Sequence, residues 1–119
     1  MMEKSEYLEL ISRNDIDMVK VTEIETIYGC TLSEIARKLI SNCDEALFFD
    51  NGTRILAFDE IINAEIDLHI DFKDKGLIPV ADCGNNDFIV YHFNDDIWSK
   101  FNIIDETVFK KRNELSELL

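Results

Sequence analysis

The chain has 119 residues, of which 46% are hydrophobic, so length and composition fit one globular domain over 1–119 with a single core. Its net charge of −13 repels phosphate backbones and argues against DNA or RNA as a direct ligand. No apolar run approaches the ~18 residues of a membrane span, and the charged start, Met1-Met2-Glu3-Lys4-Ser5-Glu6, lacks the apolar centre of a signal peptide, so a cytoplasmic protein without membrane contact is expected.

Met2 to Ser12 predicts a short amphipathic helix with Tyr7, Leu8, Leu10 and Ile11 apolar, broken by Arg13-Asn14-Asp15. Ile16 to Val21 reads equally as strand or loop. Thr22-Glu23-Ile24-Glu25 has the form of a capping box that opens a helix. Gly29 then ends it, as a residue suited to the left-handed position after a helix. Thr31-Leu32-Ser33-Glu34 is a second box. Behind it, Leu32, Ile35, Ala36, Leu39, Ile40 and Cys43 form an apolar stripe at helical spacing. Residues 46–57 predict a hairpin turning at Asp50-Asn51-Gly52-Thr53. Asp59 is expected to cap a helix with Ile61, Ile62, Ala64 and Ile66 on its apolar side. Asp67 to Lys75 is then a polar link anchored by Phe72.

Leu77 to Phe93 organises the rest. Two apolar arms flank Asp82-Cys83-Gly84-Asn85-Asn86, a loop whose Gly and Asn accept positive φ, so the stretch predicts a hairpin. In its second arm both interleaved sets are largely apolar, Phe88, Val90, His92 and Ile89, Tyr91, Phe93, as in a central strand covered on both faces. Asn94-Asp95-Asp96 turns the chain into a third strand over 97–104. Leu77 to Ile104 is therefore an antiparallel meander. Asp105 is expected to cap a last helix in which Val108, Phe109, Leu115, Leu118 and Leu119 return to the sheet. Helices, then strands, then a helix argue for an α+β fold, mostly antiparallel, with helices packed on the sheet.

Thirteen of the acidic residues lie between Asn42 and Asp96 against three basic ones, whereas residues 97–119 are balanced. Such asymmetry attracts a basic partner and speeds encounter, although it also serves solubility alone. The three cysteines, Cys30, Cys43 and Cys83, show no C-x-x-C spacing and read as reduced structural thiols. His69 and His92 lack zinc spacing, and Asp82-x-Gly84-x-x-Asp87 lacks the alternating carboxylates of a calcium loop, so no metal or other cofactor is expected. Asp59 and Glu60 suit a helix start for dipole reasons. No Gly-rich phosphate loop follows a strand.

The order of these signals resembles the SUKH superfamily, the Smi/Knr cell-wall-regulator family. Its opening helix pattern, glycine and following leucine correspond to Ile24 to Tyr28, Gly29 and Leu32, with the next helix running to Cys43. Its Asn-Gly pair and "R-I-L-x-x-x-E-I" segment correspond to Asn51-Gly52 and Arg54 to Ile61. Its "I-P-x-A" strand, polar turn and aromatic strand correspond to Ile78 to Asp82, Gly84, and Asp87 to Phe93. The chain departs from the family where Ser33 replaces a proline and Asn85-Asn86 replace glycines, as in a divergent member. The resemblance covers about Val21 to Ile104 and implies an α+β domain that binds proteins and is not an enzyme. Bacterial members are often immunity proteins that neutralise toxins, frequently nucleases, and fungal members act as regulators through protein contacts.

A nuclease cleft is basic because it holds phosphates, so carboxylates can occupy it or its rim. The candidate partner-binding residues are Asp82 and Asp87 on one meander turn, Asp95 and Asp96 on the next, and Tyr91 and Trp98 as aromatic anchors. Successive meander turns lie at opposite ends of a sheet, so the two acidic pairs need not share a patch. The alternatives are a regulatory or scaffolding adaptor with the same fold and a small hydrolase, the latter requiring His92, Cys83 and carboxylates to meet in one pocket.

Overall fold

In the computed structural model, which describes residues 2–119, six strands form one antiparallel sheet in sequence order. They are β1 (Leu47–Phe48), β2 (Arg54–Ile55), β3 (Leu77–Gly84), β4 (Asp87–His92), β5 (Ile97–Asn102) and β6 (Val108–Arg112). The helices are α1 (Lys4–Arg13), α2 (Met18–Tyr28), α3 (Glu34–Ser41), α4 (Phe58–Ile62), α5 (Ala64–Leu68) and α6 (Phe72–Lys75). The α+β class and the antiparallel meander are as expected, and the meander extends beyond 77–104 to all six strands.

β4 lies between β3 and β5. Phe88 to His92 are all buried, so both of its faces are covered. Alternation puts Ile89 and Tyr91 on one face and Phe88, Val90 and His92 on the other. α3 meets the first face, where Leu39 and Ile40 approach Ile78, Tyr91 and Trp98. On the second face Phe72 of α6 packs edge-on against Phe101, with ring centres 5.9 Å apart. Each large apolar side chain fully buried here contributes roughly 1.5–3 kcal/mol, which is why a chain of this size holds its sheet without a disulfide.

Asn85 and Asn86 have φ of 55° and 66°, so the hairpin closes on a two-residue primed turn that matches strand twist. The turn is tighter than the five-residue loop expected. Asp82 and Cys83 belong to β3, and Gly84, at φ 85°, sits at a register shift.

Several expected boundaries move. The capping box at Thr22 does not form. α2 begins earlier, where Asp17 accepts from the Val19 and Lys20 amides, and Thr22 lies inside the helix with its carbonyl bonded to the Thr26 hydroxyl. Gly29 closes that helix at φ 66°, as anticipated. α3 is capped by Ser33 rather than Thr31, the Ser33 hydroxyl accepting from the Ala36 amide. α4 starts after Ala57, not Asp59. Ala57 has no capping side chain, and Glu60 instead accepts the Ala57 amide at 3.0 Å. The third meander strand stops at Asn102 rather than Ile104.

The expected helix after Asp105 is a correction of type. Asp105 accepts from the Thr107 amide and hydroxyl, forming a local turn rather than a helix cap. Val108–Arg112 then pairs with β5 as a strand. β5 would otherwise leave its backbone groups unpaired beside the buried Trp98 and Phe101, and satisfying them outweighs the helix preference of Lys110-Lys111-Arg112. Leu115 and Leu118 do return to the core, through a short 3-10 turn at Leu115–Glu117.

Candidate functional site

The meander sends the β1–β2, β3–β4 and β5–β6 turns to one end of the sheet and the β4–β5 turn to the other. Asp82 and Asp87 are therefore separated from Asp95 and Asp96 by the length of β4. At the first end the carboxylates are occupied with the turns themselves. Asp82 accepts the Gly84 amide at 2.8 Å, and Asp87 accepts the Asn102 side-chain amide at 2.8 Å. Arg54 donates to Glu60 at 2.6 Å and lies 3.7 Å from Asp82. The hydrogen bond from Arg54 holds the Glu60 carboxyl below its usual range, while the neighbouring Asp59 is exposed.

At the other end the structure gathers three of the predicted residues. The Tyr91 hydroxyl donates to Asp96 Oδ1 at 2.8 Å and accepts from the Ser33 amide at 3.4 Å. The Tyr91 ring is 4.7 Å from that of Trp98. Burial, reinforced by Asp96, raises the Tyr91 phenol above its ordinary range, so it remains a hydrogen-bond donor. Tyr91 and Trp98 are only 2% and 1% exposed. They form the floor behind the site and are not protruding anchors.

In front of them runs an open groove of about 420 Å³ between α1, α3, the β4–β5 turn and the segment after β6. Glu34, Asp96 and Glu114 line it, and all three are exposed. Ile35 also lines it and is 38% exposed, while the other members of the α3 stripe are buried. The lining cation among the described residues is Lys38, whose ammonium is committed to the Ser12 and Asn14 carbonyls at 3.2 and 2.6 Å. The groove is thus acidic at its mouth and apolar along one wall. Asp95 is exposed on the same turn, outside the groove lining. Sequence reasoning missed Glu34 and Glu114, because one looks like an ordinary first-turn helix acid and the other was placed in a helix that does not form. The uncovered Ile35 was hidden by its regular position in the stripe.

The residues a hydrolase would need do not assemble. Cys83 lies beside the β3–β4 turn, whereas His92 pairs with Leu77 at the far end of the same hairpin. Burial raises the Cys83 thiol and lowers the His92 imidazole, so each favours its neutral form. His92 Nε2 is 2.7 Å from the Ser99 hydroxyl, but Ser99 is wholly buried and offers no route to a substrate. His69 closes α5 in the left-handed region. Among the described residues no group of His, Cys, Asp or Glu is arranged to hold a metal ion. No helix there is long and apolar enough to cross a membrane. No protein family, curated protein or solved structure matches this chain.

Proposed function

We propose that this chain is a non-enzymatic, cytoplasmic protein-binding domain, an immunity protein that neutralises a basic toxin domain, such as a nuclease, through an acidic surface. The observation that carries the reading is the groove at the β4–β5 turn, where Glu34, Asp96 and Glu114 face solvent while Lys38 is held by backbone carbonyls. Carboxylates that form no salt bridge among the described residues attract a basic domain over distance and speed its capture. The acidic excess between Asn42 and Asp96 adds to that field. The resemblance to the SUKH superfamily supplies the immunity role. A regulatory adaptor of the same fold is the second reading. It is favoured by the exposed Phe48 on β1, which would meet a partner through apolar contact rather than charge.

The test is growth protection. Toxin domains encoded by adjacent genes are expressed with and without this protein, and again with Glu34 and Glu114 changed to Gln and Asp96 to Asn. Protection that weakens in the folded variant, together with association that falls steeply as salt rises, is the expected result. Absence of protection against every neighbouring toxin domain overturns the immunity reading and leaves the adaptor.

A further inference from the structure

We propose that Asn51 is a site of self-modification, at which the backbone nitrogen of Gly52 displaces the side-chain amide and leaves aspartate or isoaspartate at the tip of the β1–β2 hairpin. The inference concerns the hairpin alone and does not rest on the binding role.

Three features carry it. The first is access. Asn51 and Gly52 are both exposed, and no atom lies within 4 Å of the space a Gly52 side chain would fill. The Gly52 nitrogen is therefore unhindered by a side chain of its own or by a neighbour. The second is position. Asn51 Oδ1 accepts the Thr53 amide at 3.0 Å. This local turn curls the side-chain carbonyl back over the Gly52 peptide and brings the two reacting groups together. The third is charge. Oδ1 is the oxygen that turns negative as the nitrogen adds, and the Thr53 N–H is already aimed at it. Thr53 is buried, and its carbonyl accepts the Phe49 amide at 2.8 Å, so the donor is held in place. Other asparagines miss a condition. Asn102 Oδ1 likewise accepts an amide two residues on, from Ile104 at 2.9 Å, but the β-branched Ile103 crowds the intervening nitrogen. Asn85 and Asn86 are exposed but are followed by Asn86 and Asp87, which carry side chains. The sequence holds no second Asn-Gly pair.

The step balances without an oxidant or cofactor. Gly52 N–H, which donates to the Phe49 carbonyl at 3.1 Å, swings free and loses its proton to solvent. The nitrogen bonds to Asn51 Cγ, and the Cγ–Nδ2 bond breaks to release ammonia. Water then opens the cyclic imide. Attack at Cγ gives aspartate, and attack at the backbone carbonyl gives isoaspartate. Aspartate keeps the acceptor for Thr53 and adds one negative charge. Isoaspartate routes the main chain through Cβ, lengthens the turn and breaks the Gly52–Phe49 and Phe49–Thr53 hydrogen bonds. β1 then loosens, and with it the Met2 amide, which donates to the Phe48 carbonyl at 2.9 Å.

The experiment incubates the purified full chain in mildly alkaline buffer, with a parallel sample in urea. Conversion is followed by peptide mapping with mass spectrometry and by isoaspartate-specific enzymatic methylation. In the folded chain Asn51 should convert ahead of every other asparagine, at a rate that rises with pH, and the isoaspartate fraction should exchange its Phe49 amide faster. Gly52→Ala should slow conversion roughly tenfold by crowding the attacking nitrogen. Because φ at Gly52 is 88° and strains an alanine, Asn51→Gln provides a second variant. Its longer side chain moves the carbonyl off the nitrogen, and conversion at that position should cease. Conversion in urea alone, conversion first at Asn85 or Asn86, or an unchanged rate in both variants would overturn the assignment.

Discussion

The Tyr91 hydroxyl reaches across the β4–β5 turn to hold Asp96 at 2.8 Å, coupling a buried core residue to an exposed carboxylate at a left-handed backbone position, φ 53°. The core thereby sets the geometry of the groove mouth. Tyr91→Phe keeps the ring packed on Trp98 but removes the donor to Asp96 and the acceptor for the Ser33 amide. It should cost about 1 kcal/mol in urea unfolding and speed exchange of the Asp96 amide, which bonds the His92 carbonyl. Unchanged exchange at Asp96 would mean that the turn is fixed by its backbone alone.

A second tyrosine behaves oppositely. Tyr7 is fully buried, packs edge-on against Phe49 at 5.4 Å, and has no hydrogen-bond partner for its hydroxyl among the described residues. A buried hydroxyl without a partner carries its desolvation cost uncompensated. Tyr7→Phe should therefore raise stability by about 1 kcal/mol, read as a higher urea midpoint with an unchanged slope. A lower midpoint would show that the hydroxyl is satisfied after all.

The parts of the fold that sequence made legible are those fixed by local chemistry. The α3 stripe, the two apolar sets of β4 and the Asn85-Asn86 turn each carry their own pattern. What escaped was decided at long range. Val108–Arg112 is a strand because β5 needs an edge partner, a demand not written in Lys110-Lys111-Arg112. Asp17 was hidden as a cap by the strand-like run from Ile16 to Val21. The candidate residues were legible as an acidic set, and their separation followed from meander geometry. The groove was not legible, because Glu34, Asp96 and Glu114 come from three distant segments that only the packing of α3 against β4 and β5 brings together.

Titration of buried groups predicts a stability plateau bounded on both sides. His92 is held below its ordinary 6.5, first by burial and then by Lys111, with Asp95 opposing. Its contribution is present above 6.5 and is lost as pH falls, because the unfolded chain takes up a proton that the folded one resists. On the alkaline side burial raises Tyr7, Tyr28 and Tyr91 above 10.0 and pushes Cys43 from 9.0 to about 12. That contribution is present below about pH 9 and is lost as pH climbs, because the unfolded chain releases protons first. Melting temperature followed against pH should decline on both limbs. His92→Gln, which retains a partner for Ser99, should flatten the acid limb alone. An acid limb unchanged by that substitution would assign it to carboxylates instead.

Gly76 joins α6 to β3 at φ 74°, and a Cβ there would sit 2.8 Å from the Asn94 side-chain nitrogen. Its carbonyl also accepts the Phe93 amide at 3.1 Å. The junction thus touches the β4–β5 turn through both backbone and the space a side chain would fill. Gly76→Ala meets two penalties, a left-handed backbone and a close contact, and should lose about 1–2 kcal/mol of stability. Asn94→Ala removes the contact but not the backbone strain, so the double variant should recover part of the loss, a coupling measurable in a double-mutant cycle. Because Asn94 leads into Asp95 and Asp96, the single variant should also displace the amide signals of that turn. Additive energies, with the turn signals unmoved, would show that Asn94 swings aside freely and that the junction constrains α6 alone.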